Sequence, residues 1–447
     1  MKERDLVLSM LMEIEKGNEF SHILIRQVLD KHNYLEANQK GFIKRLTEGT
    51  LERRLEMDYI IDQFSNVKTG KMKPLIRNLL RMSVYQIFYM EQIPQSAICN
   101  EAVKLATLHK FSSLKGFVNG ILRNIIRRKE EVIYPNREED FLTYVEVKYS
   151  MPKWITEQFL QQYSKEKVEK ICEGLLKKRL ITIRFSENLE EEEREGLKKQ
   201  WEKRGVIWKE HPYLPYACFI ERVEGITSLE GFAKGCFVVQ DISSMLAIEV
   251  AGIEEDMTVL DLCAAPGGKT THAAIKLKNT GKVLAGDLSE YKVRMVEEST
   301  LRQKLENVEI KVWDATVFDK TLEEKADVII CDVPCSGLGV ITKKTDLKYR
   351  LQKQDMESLI PLQRSILQNA VRYLKKGGIM IYSTCTIHEK ENESQVRWMV
   401  KELGMKIVDI KQSLPLSLQE EVGEMGLQLL PGIHESDGFF FAKLKKC

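Results

Sequence analysis

Two of the nine cysteines in this 447-residue chain stand where a thiol could do chemistry. Cys335 lies in Asp332-Val333-Pro334-Cys335-Ser336-Gly337, after the hydrophobic run Val328-Ile329-Ile330-Cys331. Cys385 lies in Tyr382-Ser383-Thr384-Cys385-Thr386, after a second such run. Both fall on expected loops, where function concentrates. Cys172, Cys218, Cys263 and Cys331 sit in apolar surroundings and fit the reading of small buried hydrophobes. A zinc site is not expected: Cys331 would lie inside a strand, and no second Cys/His pair supplies the remaining ligands. A redox pair lacks the Cys-x-x-Cys spacing.

The second group of chemical residues is Asp261-Leu-Cys263-Ala264-Ala265-Pro266-Gly267-Gly268-Lys269-Thr270, at an expected strand-to-helix turn. Glycines there let the backbone approach a ligand, and the amides of a helix start attract an anionic group. Asp287 follows Gly268 by nineteen residues, at the end of the next strand, the spacing at which an acid holds ribose hydroxyls. Gly-x-Gly-x-x-Gly is absent, and the phosphate-loop pattern is not formed. A cofactor with a ribose and a carboxylate but no phosphate fits, and S-adenosylmethionine is that cofactor. Asp314 and Asp332 follow two further strands, Asp314 placed toward the adenine edge. A thiolate beside a methyl donor suits methylation at C5 of a pyrimidine. That carbon becomes nucleophilic once sulfur has added at C6, and release of the C5 proton then expels the sulfur.

These residues need elements to hold them. From Asp241 onward strand and helix alternate, with strands expected at 258–262, 282–285, 309–312, 327–331 and 379–383, which implies a mostly parallel sheet with helices on both faces. Ligands of such sheets sit at the carboxyl ends of the strands. The first 130 residues carry helical periodicity throughout, and a break in composition follows near 127–140. The expected organisation is multidomain: an all-α bundle over 1–135, a small α+β module over 145–235 and an α/β Rossmann-like domain over 236–447.

Net charge is only +2, yet between Lys71 and Lys129 eleven Lys or Arg face two acids, Glu91 and Glu101. That stretch is a candidate nucleic-acid surface. Lys343, Lys344, Lys348 and Arg350 with Tyr349 make a second cationic strip near the cysteine loops. No run of ~18 uncharged apolar residues occurs, and the nine cysteines do not resemble a disulfide framework. A cytoplasmic protein without a membrane partner is expected.

The motifs together, Val239-Gln-Asp-Ile-Ser-Ser-Met245, 261–270, 332–341, 382–387 with Glu391-Asn392-Glu393, and 437–444, resemble those of the RNA cytosine-5 methyltransferases, the bacterial Sun/Fmu (RsmB) type acting on 16S ribosomal RNA. Ala102-Val-Lys-Leu-Ala106 and Phe117-Val-Asn-Gly-Ile-Leu-Arg123 resemble the NusB-like RNA-binding domain that this subgroup carries in front. The resemblance implies that Cys385 is the nucleophile, that Cys335 assists product release and that Asp332 contacts the N3 edge of a flipped cytosine. It also implies that Cys263, Ala264, Ala265, Pro266, Gly267, Gly268, Lys269, Asp287, Asp314 and Asp332 hold S-adenosylmethionine. DNA cytosine methyltransferases use the Pro-Cys thiol as nucleophile, so the residues alone leave the two roles invertible. Thr345 stands where the family usually has proline. The partner implied is 16S ribosomal RNA, unassembled or in a loop region, bound by a monomer. The other reading is a NusB-like ribosome-assembly factor whose methyltransferase domain is vestigial; it predicts decay of the loop or the cysteines, and both are intact.

Overall fold

The computed structural model describes residues 3–177, 180–223 and 225–447. The chain forms two compact units, Met1–Lys177 with Ile341–Arg350, and Lys178–Val340 with Leu351–Cys447.

The first unit is helical: α1 (Glu3–Lys16), α2 (Ser21–Lys31), α3 (Ala37–Glu52), α4 (Arg54–Phe64), α5 (Pro74–Tyr89), α6 (Gln95–Leu108), α7 (Lys115–Arg127), α8 (Phe141–Lys148), α9 (Lys153–Leu160) and α10 (Lys165–Leu176). Local chemistry sets several of their ends. Glu36 and Gln39 form a capping box at the start of α3, and Pro74 opens α5, where its missing N–H costs nothing. In α7 the buried residues Val118, Ile121, Leu122 and Ile125 follow the helical period and face a core shared with Leu8, Leu46, Ile60 and Leu79.

Two members of the basic stretch turn inward. Arg81, 4% exposed, donates from Nε and Nη2 to the two carboxylate oxygens of Asp58, both at 2.6 Å, and Arg77 pairs with Glu15. Lys71, Lys73, Lys110, Lys115, Arg123 and Arg127 stay exposed, so the positive surface is smaller than the residue count suggests.

Two expectations are corrected. The stretch 145–235 was expected to form one module, but α8 packs on α4 and on its neighbours α9 and α10 in the first unit. The strands that follow belong to the second unit, because the amphipathic helices bury their apolar faces on other helices. The strip around Lys348 is also only partly a surface: Lys343 is exposed, but the centre of the strip is not. Lys348 is 1% exposed, and its Nζ donates to the Glu52 carbonyl at 2.9 Å. Burial pulls its pKa down to about 7. Asp346 accepts from the Ser21 backbone N–H at 3.1 Å, and the Tyr349 ring lies under Arg54.

The second unit holds two sheets. Its strands are β1 (Ile181–Phe185), β2 (Ile207–Glu210), β3 (Ala217–Glu221), β4 (Phe237–Val239), β5 (Thr258–Asp261), β6 (Lys282–Asp287), β7 (Val308–Val312), β8 (Ala326–Asp332), β9 (Leu374–Thr384), β10 (Met405–Ile407), β11 (Val422–Gly423), β12 (Gly426–Leu429) and β13 (Phe439–Lys446). Its helices are α11 (Glu191–Lys203), α12 (Ile242–Glu249), α13 (Gly268–Lys276), α14 (Glu290–Arg302), α16 (Lys353–Tyr373), α17 (Glu393–Leu403) and α18 (Leu416–Gln419); the short α15 (Leu347–Arg350) belongs to the first unit. The small antiparallel sheet runs β2-β3-β1-β4 and packs Phe185, Trp201 and Phe237 in its core. The large sheet runs β11-β12-β13-β9-β8-β5-β6-β7, with β10 on β13. β9, β8, β5, β6 and β7 are mutually parallel, and β13 returns antiparallel to β9. An α/β Rossmann-like domain behind a helical one is thus what forms. No helix among the described residues is long and apolar enough to cross a membrane.

Where α3 crosses α5, the crossing depends on a missing side chain. A Cβ on Gly49 would lie 2.1 Å from the Tyr85 ring, itself 8% exposed. Gly49→Ala is expected to destabilise the helical unit by about 1–3 kcal/mol through overpacking, outweighing the ~1 kcal/mol that alanine gains in helix propensity. The urea midpoint of unfolding should fall; an unchanged or raised midpoint would show that Tyr85 can move aside.

Candidate active site

The order of the large sheet reverses at β5, which has β8 on one side and β6 on the other. Parallel strands leave the sheet on one edge, so the segments after β5, β6, β7, β8 and β9 gather there, where open α/β sheets bind ligands. Asp261 ends β5, Asp287 ends β6, Asp314 follows β7, Asp332 ends β8 and Cys385 follows β9. All the strand-end residues singled out from the sequence therefore share that edge.

The loop after β5 is shaped by its own hydrogen bonds. The Ala264 N–H donates to the Gly286 carbonyl at 2.9 Å and the Gly267 N–H to the Ala264 carbonyl at 2.7 Å. Gly267 has φ 100°, and a Cβ there would press on the Val296 backbone at 3.1 Å, so glycine is required. Asp287, 5% exposed, accepts from the Ala265 N–H at 3.1 Å and from Lys292 Nζ at 2.9 Å, fastening β6 to the loop. Asp261 is fully buried; its Oδ2 accepts from Thr270 Oγ1 at 2.7 Å, while Oδ1 has no partner. Burial pushes its pKa up to about 7. An unpaired buried carboxylate oxygen calls for a donor, and a cationic amino group satisfies it. Cys263 is half-buried, and its thiol is pushed up by burial. Asp314 is exposed and turned locally, accepting from Thr316 N at 2.9 Å and Oγ1 at 2.6 Å.

Lys269 leaves the loop in a different direction. Its Nζ donates to Asp332 Oδ2 at 2.6 Å and to Ser244 Oγ at 3.1 Å, while Ser383 Oγ donates to Asp332 Oδ1 at 2.9 Å. This lysine joins the first loop to the end of β8 beside the cysteines.

Cys335 Sγ and Cys385 Sγ lie 3.3 Å apart, both half-buried thiols. Cys335 is raised well above the ordinary thiol range, first by its hydrogen bond with Cys385 and then by burial, with the charges of Glu391 and Asp332 adding to this. The two loops are tied together beneath the sulfurs. Glu391, fully buried, accepts from the Ser336 N–H at 2.9 Å, Ser336 Oγ at 2.5 Å and Gln363 Nε2 at 3.0 Å, and its Oε1 lies 3.1 Å from His388 Nδ1. Gln363 also donates to the Pro334 carbonyl at 2.9 Å. Ser336 Oγ and Thr386 Oγ1, each next to one of the cysteines, are 2.7 Å apart. Asn392 brackets Cys385 through Thr384 Oγ1 at 2.5 Å and the Thr386 carbonyl at 3.1 Å. Further on, the Gly339 N–H donates to the Cys385 carbonyl at 3.0 Å and the Gly438 N–H to the Gly339 carbonyl at 3.0 Å.

The sequence motifs contain Ser244, Gly339, Glu391, Asn392 and Gly438 without a role for any of them, and Gln363 falls in no motif. Gln363 carries no local signal, since it is one polar residue in a long amphipathic helix. The glycines could have been flagged as sites of close backbone approach: a Cβ on Gly339 would lie 1.9 Å from the Gly438 carbonyl oxygen.

Residues 248–445 match the family model of the 16S rRNA methyltransferase RsmB/F, and residues 1–127 match that of the NusB family. The chain is 34% identical over 447 residues to the probable ribosomal RNA small subunit methyltransferase B of Bacillus subtilis strain 168, covering 99% of this chain and 98% of that protein. Among solved structures it resembles PH0851, with a TM-score of 0.80 at 25% identity over 100% of this chain and 99% of the other. It also resembles NSun6 from Pyrococcus horikoshii with SFG, with a TM-score of 0.57 at 25% identity over 66% and 98%. With a NusB-type helical region, a Rossmann-like domain and whole-length similarity to these relatives, the chain belongs to the RsmB/F family of 16S ribosomal RNA methyltransferases.

Proposed function

We propose that this chain forms 5-methylcytosine in 16S ribosomal RNA, using S-adenosylmethionine and a transient bond between Cys385 and C6 of the base. The observation that carries the reading is the pair of thiols 3.3 Å apart at adjacent strand ends, beside the Asp332–Lys269 ion pair. When bound, S-adenosylmethionine supplies an electrophilic methyl group. Asp261, with its unpaired oxygen, would take the cofactor's amino group; Asp287 has acceptor capacity left for ribose hydroxyls; Asp314 stands at the rim; Cys263, Ala264, Ala265, Pro266, Gly267 and Gly268 form the wall. Lys269 serves this site indirectly, by holding Asp332.

A cytosine reaches the thiols only out of its stack, which is least costly in single-stranded or loop RNA. The Cys385 thiolate adds to C6, while a proton donated to N3 by Asp332 neutralises the negative charge that develops on the ring. Carbon C5 then carries the electron density that accepts the methyl group. Water at the site takes the C5 proton, the freed electron pair re-forms the C5–C6 double bond and Cys385 leaves as thiolate, with Cys335 at its side assisting release and the N3 proton returning to Asp332. The hydrogen bond with Cys385 first, then burial and the nearby charges of Glu391 and Asp332, hold the Cys335 thiol well above its ordinary range; the choice of Cys385 as nucleophile follows the family resemblance. The substrate places the reaction in the bacterial cytoplasm, with the NusB-type region as the RNA-holding part.

Incubated with cofactor and 16S rRNA, Cys335→Ala is expected to accumulate a covalent protein–RNA adduct that resists denaturing gels, and Cys385→Ala to give neither adduct nor methylation. An adduct in Cys385→Ala instead would reverse the roles, and no methylation by the wild type, read by bisulfite sequencing, would remove the enzymatic reading. Affinity for S-adenosylmethionine should depend on pH through Asp261. Its carboxyl is protonated below about 7 in the free protein, so binding of a cationic amino group must expel that proton. Affinity therefore rises as pH climbs from about 5.5 to 7, by at most ~tenfold per unit, and Asp261→Asn should flatten the profile measured by calorimetry. Gly339→Ala forces the Cys335 loop away from the Gly438 turn and so strains the Gly339 N–H bond to the Cys385 carbonyl, and kcat is expected to drop on the order of 100-fold with cofactor affinity little changed; equal loss in both would point to general unfolding.

A further inference from the structure

The helical unit encloses a cavity of about 500 Å³ that the methyltransfer chemistry does not use. This lies in the roughly 300–1,000 Å³ range of small-ligand sites. Its lining combines apolar residues, Leu11, Ile14, Phe20 and Leu51, with Arg54, Arg81 and Arg350 and with Glu15 and Asp346. The charges do not cancel. Glu15 pairs with Arg77, Arg81 with Asp58 and Arg350 with Asp346. Arg54 has no carboxylate partner among the described residues; its guanidinium stacks 4.8 Å over the Tyr349 ring, and its Nε is buried without an acceptor. A guanidinium keeps its charge when buried, so the cavity presents one surplus positive charge and an unmet donor among apolar lining and the rings of Phe20 and Tyr349, which lie under Arg350 and Arg54.

We infer that this cavity takes one unstacked nucleotide of the RNA substrate, its phosphodiester on Arg54 and its base or sugar against Phe20 and Leu51. The inference rests on the ribosomal-RNA reading above. A phosphodiester carries a single negative charge, which matches the single surplus cation, and its oxygens accept the donors that Arg54 leaves unused. An unstacked base finds the aromatic and aliphatic surface that single-stranded RNA seeks in protein sites. The position in the first unit makes this a site for holding RNA, separate in chain position from the residues that react.

The test uses the full-length protein with cofactor, measuring binding of 16S rRNA over a range of salt concentrations together with methylation. Arg54→Gln is expected to weaken RNA binding about tenfold at moderate salt and to lower the slope of log K against log salt by ~0.7, the share of one phosphate contact, with kcat at saturating RNA unchanged. Arg54→Lys keeps the charge and should keep the slope. A nucleoside 2′,3′-cyclic monophosphate, which carries the same single charge, should compete with RNA for the wild type and not for Arg54→Gln. Wild-type affinity and slope in Arg54→Gln would overturn the inference, as would equal losses in the Gln and Lys variants with the slope intact, which mark a packing role. Binding of the cyclic nucleotide through Arg54 with RNA binding unaffected would overturn the RNA assignment in favour of a free nucleotide. Failure of the wild type to methylate 16S rRNA would instead sink the enzymatic reading.

Discussion

The parallel pairing of β8 with β9, in the register that sets Asp332 opposite Ser383, is the constraint on which the active edge depends. Because the strands run in the same direction, both chains leave the sheet at the same place. Cys335 comes three residues after Asp332 and Cys385 two residues after Ser383, so the two thiols meet although fifty residues separate them. A slip of one residue would send alternate side chains to the opposite face. It would also part Asp332 from Ser383 Oγ and from the Lys269 ammonium that fixes its other oxygen. Burial on both faces keeps that register: Val328, Ile329, Ile330, Met380 and Ile381 are all within 1% of full burial.

Strand pairing brings the cysteine loops close, and a buried polar group holds them still. Removing a carboxylate from water costs several kcal/mol unless hydrogen bonds or charges replace the solvent. Around Glu391 the replacement comes from Ser336, Gln363 and His388. These partners come from α16 and from both cysteine loops, so satisfying one carboxylate fixes three parts of the chain at once. The same charge lies near the sulfurs and opposes ionisation of Cys335.

The charge pattern has a second meaning in the helical unit. Arg77 and Arg81 spend their charge on Glu15 and Asp58 inside the fold, and Lys348 and Tyr349 spend their polar atoms on the Glu52 and Ser150 carbonyls. Segment 341–350 lies in this unit although the chain on either side belongs to the other. A loop that begins a few residues after Cys335 therefore anchors among the helices.

The order of residues was enough to place the candidate site residues on their elements: short-range motifs announced the glycine turn, the acids at strand ends and the two cysteine loops. The reason is physical, since a tight turn, a strand end and a helix start are each decided within a few residues. The alternation of strand and helix likewise implied the parallel sheet, with strand limits shifted by only a few residues. Residues far apart in the chain needed the fold. Nothing near Lys348 shows that its ammonium is buried against a carbonyl of α3, nothing near Gln363 shows that it reaches Glu391 and Pro334, and nothing near Lys269 shows that it turns to Asp332. Helices α8–α10 joined the helical unit because their apolar faces found a larger helical surface there, a choice made by packing between elements rather than by local propensity.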